Sequence, residues 1–251
     1  GFMLASRIIP CLDVREGRVV KGVRFAGLRD MGAPERLSAY YEYVGADEIV
    51  LLDVSASLEG RRALRKTIKA VAEQTFLPLT VGGGIRSVMD AEALFKSGAD
   101  KISLNTSAVE NPSLIRKLAD DFGSQSIVVA IDAKKTSQGW GVFTRSGSQK
   151  TKWTPTAWAA EAQRLGAGEI LLTSIDSDGT KKGFDLDLLS AVRESTTRPL
   201  VASGGAGSLD DFVAALKTAD AALAAGVFHS GMVRIPALKK YLKKRGVNVR
   251  L

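Results

Sequence analysis

Residues 78–84 read Pro-Leu-Thr-Val-Gly-Gly-Gly, and residues 199–205 read Pro-Leu-Val-Ala-Ser-Gly-Gly. Each stretch is an apolar run that ends in glycines. Nearly the same separation along the chain relates three further pairs of blocks, 8–13 with 128–132, 45–49 with 166–170, and 97–100 with 217–220. Matching blocks in one order indicate an internal duplication, with half-repeats at about 3–122 and 123–251.

Apolar runs alternate with amphipathic stretches eight times along the chain. This alternation predicts parallel strands wound by helices. Eight such units in 251 residues predict an α/β protein with a single (β/α)8 TIM-barrel domain over 1–251, because a barrel of this kind needs roughly 250 residues. An open, doubly wound sheet is the alternative. Gly1 and Phe2, ahead of Met3, are expected to be a remnant of cloning.

The predicted strands and helices share a regular spacing. The strands are expected at 7–13, 48–53, 78–82, 101–105, 127–132, 169–174, 199–203 and 221–225. The helices are expected at 35–44, 61–74, 87–97, 112–122, 155–165, 185–195, 208–217 and 235–245.

Two of the connections are long, and each follows a strand that ends in aspartate. Residues 14–34 predict a short hairpin and then a polar loop that ends at Pro34, and residues 133–154 predict a second hairpin at the matching place. Long loops over the catalytic end of a barrel are usually functional.

The composition favours a globular protein that binds an anionic metabolite. The net charge is +8, and the basic residues are scattered apart from short runs such as 239–245. Scattered charge favours a metabolite over nucleic acid, so no nucleic-acid partner is expected. The single cysteine, Cys11, excludes an intramolecular disulfide and agrees with a cytoplasmic location. No apolar run reaches the ~18 residues of a membrane span, so no membrane partner is expected.

Asp13 and Asp132 end two matching apolar runs. Active sites of TIM barrels lie at the carboxyl ends of the strands, so the two carboxylates are expected on opposite sides of one mouth. Strand alternation puts Cys11 on the face of Asp13 and Ala130 on the face of Asp132. Two such carboxylates can divide the work of general acid and general base. The alternative for either residue alone is a loop cap or a pairing with lysine.

Glycine-rich turns follow two matching strands and predict phosphate binding. Residues 82–84 are followed further on by Asn105 and Thr106, and residues 204–205 by Ala225 and Gly226. Bare N–H groups of such turns, with a helix N-terminus behind them, point at anions. Their symmetric placement predicts two phosphates on opposite rims.

A third set of residues stands at the start of four strands: Arg7, Glu48, Lys101 and Glu169. Two cations and two anions at that end predict a neutral charged ring that closes the barrel. From the residues alone the ring is interpreted as structural.

The one histidine, His229, excludes histidine dyads and multi-histidine metal sites. A capping or helix-end role is expected for it. Neither glycine cluster has the spacing of a dinucleotide fingerprint. No metal site and no cofactor are therefore expected.

The motifs resemble those of the cyclase subunit family of imidazole glycerol phosphate synthase. The resemblance runs from Met3 to Leu251, and its specific blocks are residues 9–14, 17–22, 105–115, 130–134 and 168–174. The resemblance implies a lyase and cyclase of histidine biosynthesis. In that chemistry, ammonia attacks a phosphoribulosyl formimino aminoimidazole carboxamide ribotide, which yields imidazole glycerol phosphate and aminoimidazole carboxamide ribotide.

The resemblance also implies roles for single residues. Asp13 matches the catalytic acid and Asp132 the catalytic base. The positions that match substrate or phosphate binding are Lys21, Gly84, Asn105, Thr106, Thr173, Asp178, Gly204, Gly205, Ala225 and Gly226. The charged ring matches the gate of an ammonia tunnel, which reverses its structural interpretation. A glutaminase subunit is implied as heterodimer partner, docked at the end of the barrel where the strands begin.

The chain departs from the family pattern at four places. Gly226 stands for serine, Ser177 for arginine and Trp153 for glycine, and one residue is missing before Asp220. Two other classes stay open beside the cyclase: an isomerase of the sister family, which needs no ammonia, and a barrel that serves only as a scaffold or binding partner.

Overall fold

The computed structural model describes residues 4–20, 32–55 and 58–251. Lys21 and the expected cloning remnant, Gly1 and Phe2, lie outside these ranges. Within the described residues the chain forms eleven strands and ten α-helices. None of these helices is long and apolar enough to cross a membrane.

The strands are β1 (Arg7–Arg15), β2 (Arg18–Val19), β3 (Ile49–Asp53), β4 (Leu79–Gly82), β5 (Lys101–Leu104), β6 (Ile127–Thr136), β7 (Gly139–Thr144), β8 (Gln149–Lys150), β9 (Glu169–Ser174), β10 (Leu200–Ser203) and β11 (Ala221–Ala224). The helices are α1 (Pro34–Tyr43), α2 (Leu58–Gln74), α3 (Val88–Ser97), α4 (Thr106–Glu110), α5 (Ser113–Phe122), α6 (Pro155–Leu165), α7 (Leu186–Ser195), α8 (Leu209–Ala215), α9 (Gly226–His229) and α10 (Ile235–Lys244).

Eight parallel strands close into a barrel. Their order is β1, β3, β4, β5, β6, β9, β10 and β11, and β11 pairs again with β1. All eight predicted strands are present, and the predicted (β/α)8 fold is confirmed. In this order β1 and β6 are four strands apart in either direction. The two aspartate-bearing strands therefore stand on opposite sides of the barrel.

The two long connections begin as hairpins, as predicted. β1 continues beyond Asp13 and pairs antiparallel with β2, with Val14 opposite Val19. β6 continues beyond Asp132 and pairs antiparallel with β7, which pairs with β8. Both hairpins rise from the carboxyl-terminal end of the barrel, which we call the mouth. The end where the strands begin is called the base.

The core has an inner and an outer layer, which follow from strand alternation. The inner cluster fills the lumen and contains Ile9, Cys11, Val50, Val128, Leu171, Val201, Ala221 and Leu223. The larger outer cluster lies between the strands and the helices, and residues such as Ile8 and Leu12 of β1 belong to it. Successive residues of a strand point to opposite faces. Asp13 therefore lies on the lumen side of β1, two residues above Cys11.

All eight predicted helices form, with ends within three residues of those expected. Two short helices were not predicted: α4 after β5 and α9 after β11. Lys239, in the basic run at the end of the chain, has a partner that the sequence analysis did not predict. Its side chain is buried, and its Nζ lies 2.9 Å from Oδ1 of Asp47.

Equivalent contacts occur at matching positions of the two predicted half-repeats. The backbone N–H of Leu79 donates to Asp100 Oδ2 at 2.8 Å, and that of Leu200 donates to Asp220 Oδ2 at 2.8 Å. The halves also differ. Asp47 of the first half corresponds to Gly168 of the second, where a side chain would collide with the backbone oxygen of Ser124.

The close approach at Gly168 generates a stability prediction. A Cβ at Gly168 would lie 2.0 Å from the carbonyl oxygen of Ser124, whereas a Cβ at Gly226 would meet nothing within 4 Å. Replacing Gly168 by alanine must move backbone, so the free energy of unfolding should fall by about 1–3 kcal/mol. Gly226→Ala is the matched control and should not lower it. Urea unfolding of both variants checks this, and equal stability of the two would contradict it.

Candidate active site

The lumen faces of β1 and β6 carry Asp13 and Asp132 to the mouth. Cys11 lies below Asp13, and Ala130 lies below Asp132; both belong to or pack against the inner cluster. Because β1 and β6 stand on opposite sides of the barrel, the two carboxylates face one another across the mouth. The backbone of Asp13 also holds the first hairpin, since its carbonyl accepts from the N–H of Val20 at 3.0 Å.

Asp132 occupies an environment that disfavours its ionised form. Burial raises the pKa of its carboxyl, the hydrogen bond from Asn105 opposes this, and the negative charge of Asp178 raises it further. Burial is the largest of these effects. A raised pKa strengthens a carboxylate as a proton acceptor, because the optimum for general acid–base catalysis lies near the working pH.

Asn105 links Asp132 to the short helix α4. Its Nδ2 donates to Asp132 Oδ2 at 3.0 Å, and its backbone precedes the first residue of α4, Thr106. The Oδ1 atom of Asn105 is buried and accepts no hydrogen bond from the described residues. An acceptor left open beside a carboxylate at the mouth suits an N–H donor of a ligand.

The two glycine turns have matching geometry. Gly83 (φ +102°) and Gly204 (φ +92°) both adopt left-handed backbone. A Cβ at Gly83 would lie 2.2 Å from the carbonyl oxygen of Asp53, and one at Gly204 would lie 2.7 Å from that of Ser174. Only glycine allows either turn to pack this closely on the end of the neighbouring strand. Beyond them, a Cβ at Gly84 would meet nothing within 4 Å, so that side of the first turn is open.

Both short helices begin at residues predicted to bind phosphate. Asn105 (φ −127°, ψ −97°) precedes α4, and Ala225 (φ −121°, ψ −75°) precedes α9, so the backbone turns in the same way. Neither helix has a side-chain cap at its start. Uncapped helix starts leave backbone N–H groups for another acceptor. The hydroxyl of Thr106 also accepts from the backbone N–H of Arg145 at 3.1 Å, which ties the second hairpin to α4.

The second rim is more crowded than the first. A Cβ at Gly205 would lie 2.0 Å from the carbonyl oxygen of Gly183 and 3.0 Å from Cβ of Ser177. The backbone N–H of Asp178 donates to the Ser174 carbonyl at 3.0 Å. The negative charge of the Asp178 carboxylate raises the pKa of Asp132. Thr173 pairs with Asp132 in the sheet. It stands two residues above Leu171, which faces the lumen, so its side chain also lies on the lumen side, near Asp132.

The charged ring closes at the base as the sequence predicts. Arg7 contacts Glu48 through Nη1, and its Nη2 lies 2.8 Å from Glu169 Oε2. Lys101 Nζ contacts Glu48 and lies 3.4 Å from Glu169 Oε1. Burial disfavours the charge on Arg7, but attraction to Glu169 and Glu48 outweighs it and raises the pKa of the guanidinium.

Two hydroxyl groups of the lumen were not singled out from the sequence. Thr80 and Ser103 are buried, and the residues beside them in β4 and β5, such as Val81 and Ile102, belong to the outer core. Both hydroxyls therefore face the lumen between the ring and the mouth. Alternation along these strands contained the signal, because the apolar neighbours mark the outer face.

His229 is the last residue of α9, which agrees with the expected helix-end position. Its ring is buried and makes two hydrogen bonds. Nδ1 contacts the hydroxyl of Tyr41, and Nε2 lies 3.0 Å from the carbonyl oxygen of Cys11. The side chain thus joins α9 to α1 and to the strand that carries Asp13.

Comparison with known proteins decides the family. The family described as "Histidine biosynthesis protein" matches residues 7–234. The chain is 55% identical over 249 residues to the imidazole glycerol phosphate synthase subunit HisF of Sulfolobus acidocaldarius, covering 99% of this chain and 100% of that protein. The subunit HisF of Exiguobacterium sibiricum is 54% identical with the same coverage, and that of a Thermotoga strain is 54% identical over 99% of both chains.

The chain belongs to the HisF family. The resemblance read from the motifs is confirmed, and with it the assignment to histidine biosynthesis. HisF membership agrees with the barrel, which holds the motif residues at its two ends. The roles of single residues in this HisF chain remain predictions.

The raised pKa of Asp132 predicts a stabilising substitution in this HisF chain. Because the folded pKa exceeds the unfolded one, the folded state binds more protons in the window between them, and stability falls as the pH rises through it. Asp132→Asn removes the cost of burying a charged carboxylate. The variant retains a side-chain oxygen that can accept the hydrogen bond from Asn105 Nδ2. The variant should therefore be more stable than wild type at neutral pH.

Urea unfolding as a function of pH checks this prediction. The difference between variant and wild type should be largest at neutral pH and should disappear below the ordinary aspartate pKa of 3.8. Asp187→Asn, an exposed aspartate of α7, is the control and should show no such gain. An Asp132→Asn variant that is less stable than wild type at neutral pH would contradict a raised pKa for Asp132 in the folded protein.

Proposed function

We propose that this chain is the cyclase subunit of imidazole glycerol phosphate synthase, acting in the cytoplasm. It uses ammonia to convert the phosphoribulosyl formimino aminoimidazole carboxamide ribotide into imidazole glycerol phosphate and aminoimidazole carboxamide ribotide. The observation that carries the proposal is the pair of carboxylates, Asp13 and Asp132, on opposite strands at one mouth of a HisF-family barrel. A single substrate in the mouth would meet both.

The two carboxylates divide the proton transfers. Asp132 is the general base, and its buried position with a raised pKa strengthens it as a proton acceptor. Asp13 is the general acid that protonates the leaving group. Each proton transfer of this kind contributes roughly 10²–10⁴ in rate.

The substrate carries two phosphates, and the two glycine turns bind them. One phosphate is held by Gly84 with the start of α4 at Asn105 and Thr106, and the other by Gly205 with the start of α9. The support is the shared backbone geometry of the two uncapped helix starts. Backbone N–H groups there supply donors without side-chain charge, which suits an anion.

Ammonia reaches the mouth through the lumen. The charged ring is the gate, and the hydroxyls of Thr80 and Ser103 lie on the lumen side above it. A polar molecule as small as ammonia can exchange hydrogen bonds with hydroxyls on an otherwise apolar path. Ammonia released outside the barrel would be protonated and diluted, so passage through the lumen couples its production to its use.

A glutaminase subunit supplies the ammonia and docks at the base. Three large apolar side chains are exposed around that end: Leu4 (92% exposed), Tyr43 (89%) and Phe76 (100%). The backbone N–H of Phe76 donates to Glu42 Oε1 at 2.9 Å, so Phe76 lies beside the end of α1, whose last residue is Tyr43. Exposed aromatic side chains of this kind are typical anchors of protein interfaces.

The catalytic roles predict the effect of two substitutions. Asp13→Asn and Asp132→Asn should each lower ammonium-dependent turnover by at least ~10²-fold, because each removes one proton transfer. Steady-state assays with ammonium salt, without the glutaminase subunit, measure this directly. Far-ultraviolet circular dichroism should show that both variants retain the fold.

The control is Asp187→Asn, which changes the same charge on the outside of the barrel and should leave turnover unchanged. An aspartate variant that keeps more than about a tenth of the wild-type rate excludes the assigned role for that residue, given the size of a proton-transfer contribution.

The gate predicts a selective loss of coupling. Lys101→Ala or Arg7→Ala should lower glutamine-driven turnover of the complex with the glutaminase subunit more than ammonium-driven turnover. Ammonium added to the solution reaches the mouth directly and bypasses the base. The ratio of the two activities and the melting temperature are measured together.

Lys239→Ala is the matched control, because Lys239 is also a buried lysine in an ion pair near the base but lies outside the ring. Breaking a buried pair costs roughly 3–5 kcal/mol wherever it lies. If ring variants and control lose both activities in parallel with the melting temperature, the ring is only structural.

A further inference from the structure

His229 holds a buried polar contact that the proposed reaction does not use. Its side chain is 1% exposed. Its ring forms hydrogen bonds with the hydroxyl of Tyr41 in α1 and with the carbonyl oxygen of Cys11 in β1. The carbonyl oxygen of Cys11 can only accept, so Nε2 carries the hydrogen of that bond. A neutral ring then accepts at Nδ1 from the hydroxyl of Tyr41.

The position of this bond in β1 is informative. The ladder between β1 and β11 ends with Pro10 opposite Ala224, because the chain after Ala224 turns into α9. The next carbonyl of β1 on that side, at Cys11, would be buried beyond the end of the ladder. His229 of α9 reaches back and donates to it. The imidazole therefore continues the attachment of β1 to the β11–α9 segment.

A different contact makes the same connection in the other half of the barrel. There α4 begins after β5, and Asn105 at its start donates to Asp132 of the adjacent strand, β6. Here α9 begins after β11, and His229 at its end donates to Cys11 of the adjacent strand, β1. The residue that corresponds to His229 in the first half is Val109, which cannot form such a bond. Each short helix is thus tied to its neighbouring aspartate-bearing strand by a different side chain.

We propose that His229 is a positioning residue that holds the start of α9 at a set distance from Asp13 through its bond to the Cys11 carbonyl. The proposal rests on the proposed function, in which α9 binds a phosphate and Asp13 is the acid. Cys11 lies two residues before Asp13 on the same face of β1, so a shift of β1 relative to α9 moves the acid relative to the bound phosphate. His229 does not touch the substrate.

The proposal predicts a particular kinetic signature. His229→Leu retains an apolar side chain of moderate size but donates no hydrogen bond. The variant would retain both the phosphate site at the start of α9 and the carboxyl of Asp13, but the distance between them would change. We therefore expect kcat to fall at least about tenfold while KM changes less than about threefold. A misplacement of about 1 Å in a catalytic group can cost ~10²-fold in rate.

Two variants separate the tie to Cys11 from packing of the buried ring. Tyr41→Phe removes the hydroxyl that donates to Nδ1 but leaves the bond from Nε2, so kcat should stay within about twofold of wild type. His229→Gln retains an amide N–H that can reach the same carbonyl and should recover most of kcat. All variants are assayed with ammonium at a temperature well below their measured melting temperatures.

Three outcomes overturn the inference. His229→Leu could keep more than half of the wild-type kcat, Tyr41→Phe could lose as much kcat as His229→Leu, or the glutamine variant could fail to recover although it is folded. Each would show that the bond to Cys11 does not set the rate. Failure of the proposed function is distinguishable from these, because the wild-type chain itself would then show no ammonium-driven turnover.

Discussion

Parallel closure of the sheet is the constraint on which the rest of this molecule depends. Eight parallel strands in a closed ring bring all their carboxyl ends to one mouth and all their starts to one base. Alternation of side chains then points every second residue into the lumen. Parallel closure and side-chain alternation together place Asp13, Asp132 and Thr173 on the lumen side at the mouth. The same two constraints place the charged ring at the base.

The two ends of the lumen differ in how well their buried charges are compensated. At the base, four charges neutralise one another, and each carboxylate has two cationic partners. At the mouth, Asp132 is buried with Asp178 nearby and a single amide donor, so its charge is poorly compensated. A poorly compensated carboxylate costs stability, but it is useful at a site that needs a proton acceptor. The charged ring closes the barrel at the base and has no need of such a carboxylate. The apolar residues between the two ends keep these environments apart.

Much of this arrangement could be predicted from the sequence, because it depends on periodicity. Strands that end in aspartate or glycine, and helices of seven or more residues, leave patterns long enough to recognise. The helices α4 and α9 have five and four residues, too few for a helical repeat, so they were missed. The ion pair of Lys239 was not predicted, because its partner, Asp47, is distant in sequence.

The contacts that tie the two short helices to their neighbouring strands could not be predicted. The bonds from Asn105 to Asp132 and from His229 to Cys11 depend on which strands become neighbours when the barrel closes. From the residues alone the ring was interpreted as structural, because four charges at the starts of strands look alike in a structural closure and in a gate. The crowding of Gly205 by Gly183 also arises only after folding.

Turnover by the isolated wild-type chain tests the central claim most directly. The purified protein, without a glutaminase subunit, is supplied with the phosphoribulosyl formimino aminoimidazole carboxamide ribotide and an ammonium salt, and products are separated by chromatography. The account predicts imidazole glycerol phosphate and aminoimidazole carboxamide ribotide in equal amounts, dependent on ammonium. Absence of both products from folded protein, or isomerisation of the preceding ribosyl compound without ammonium, would contradict it.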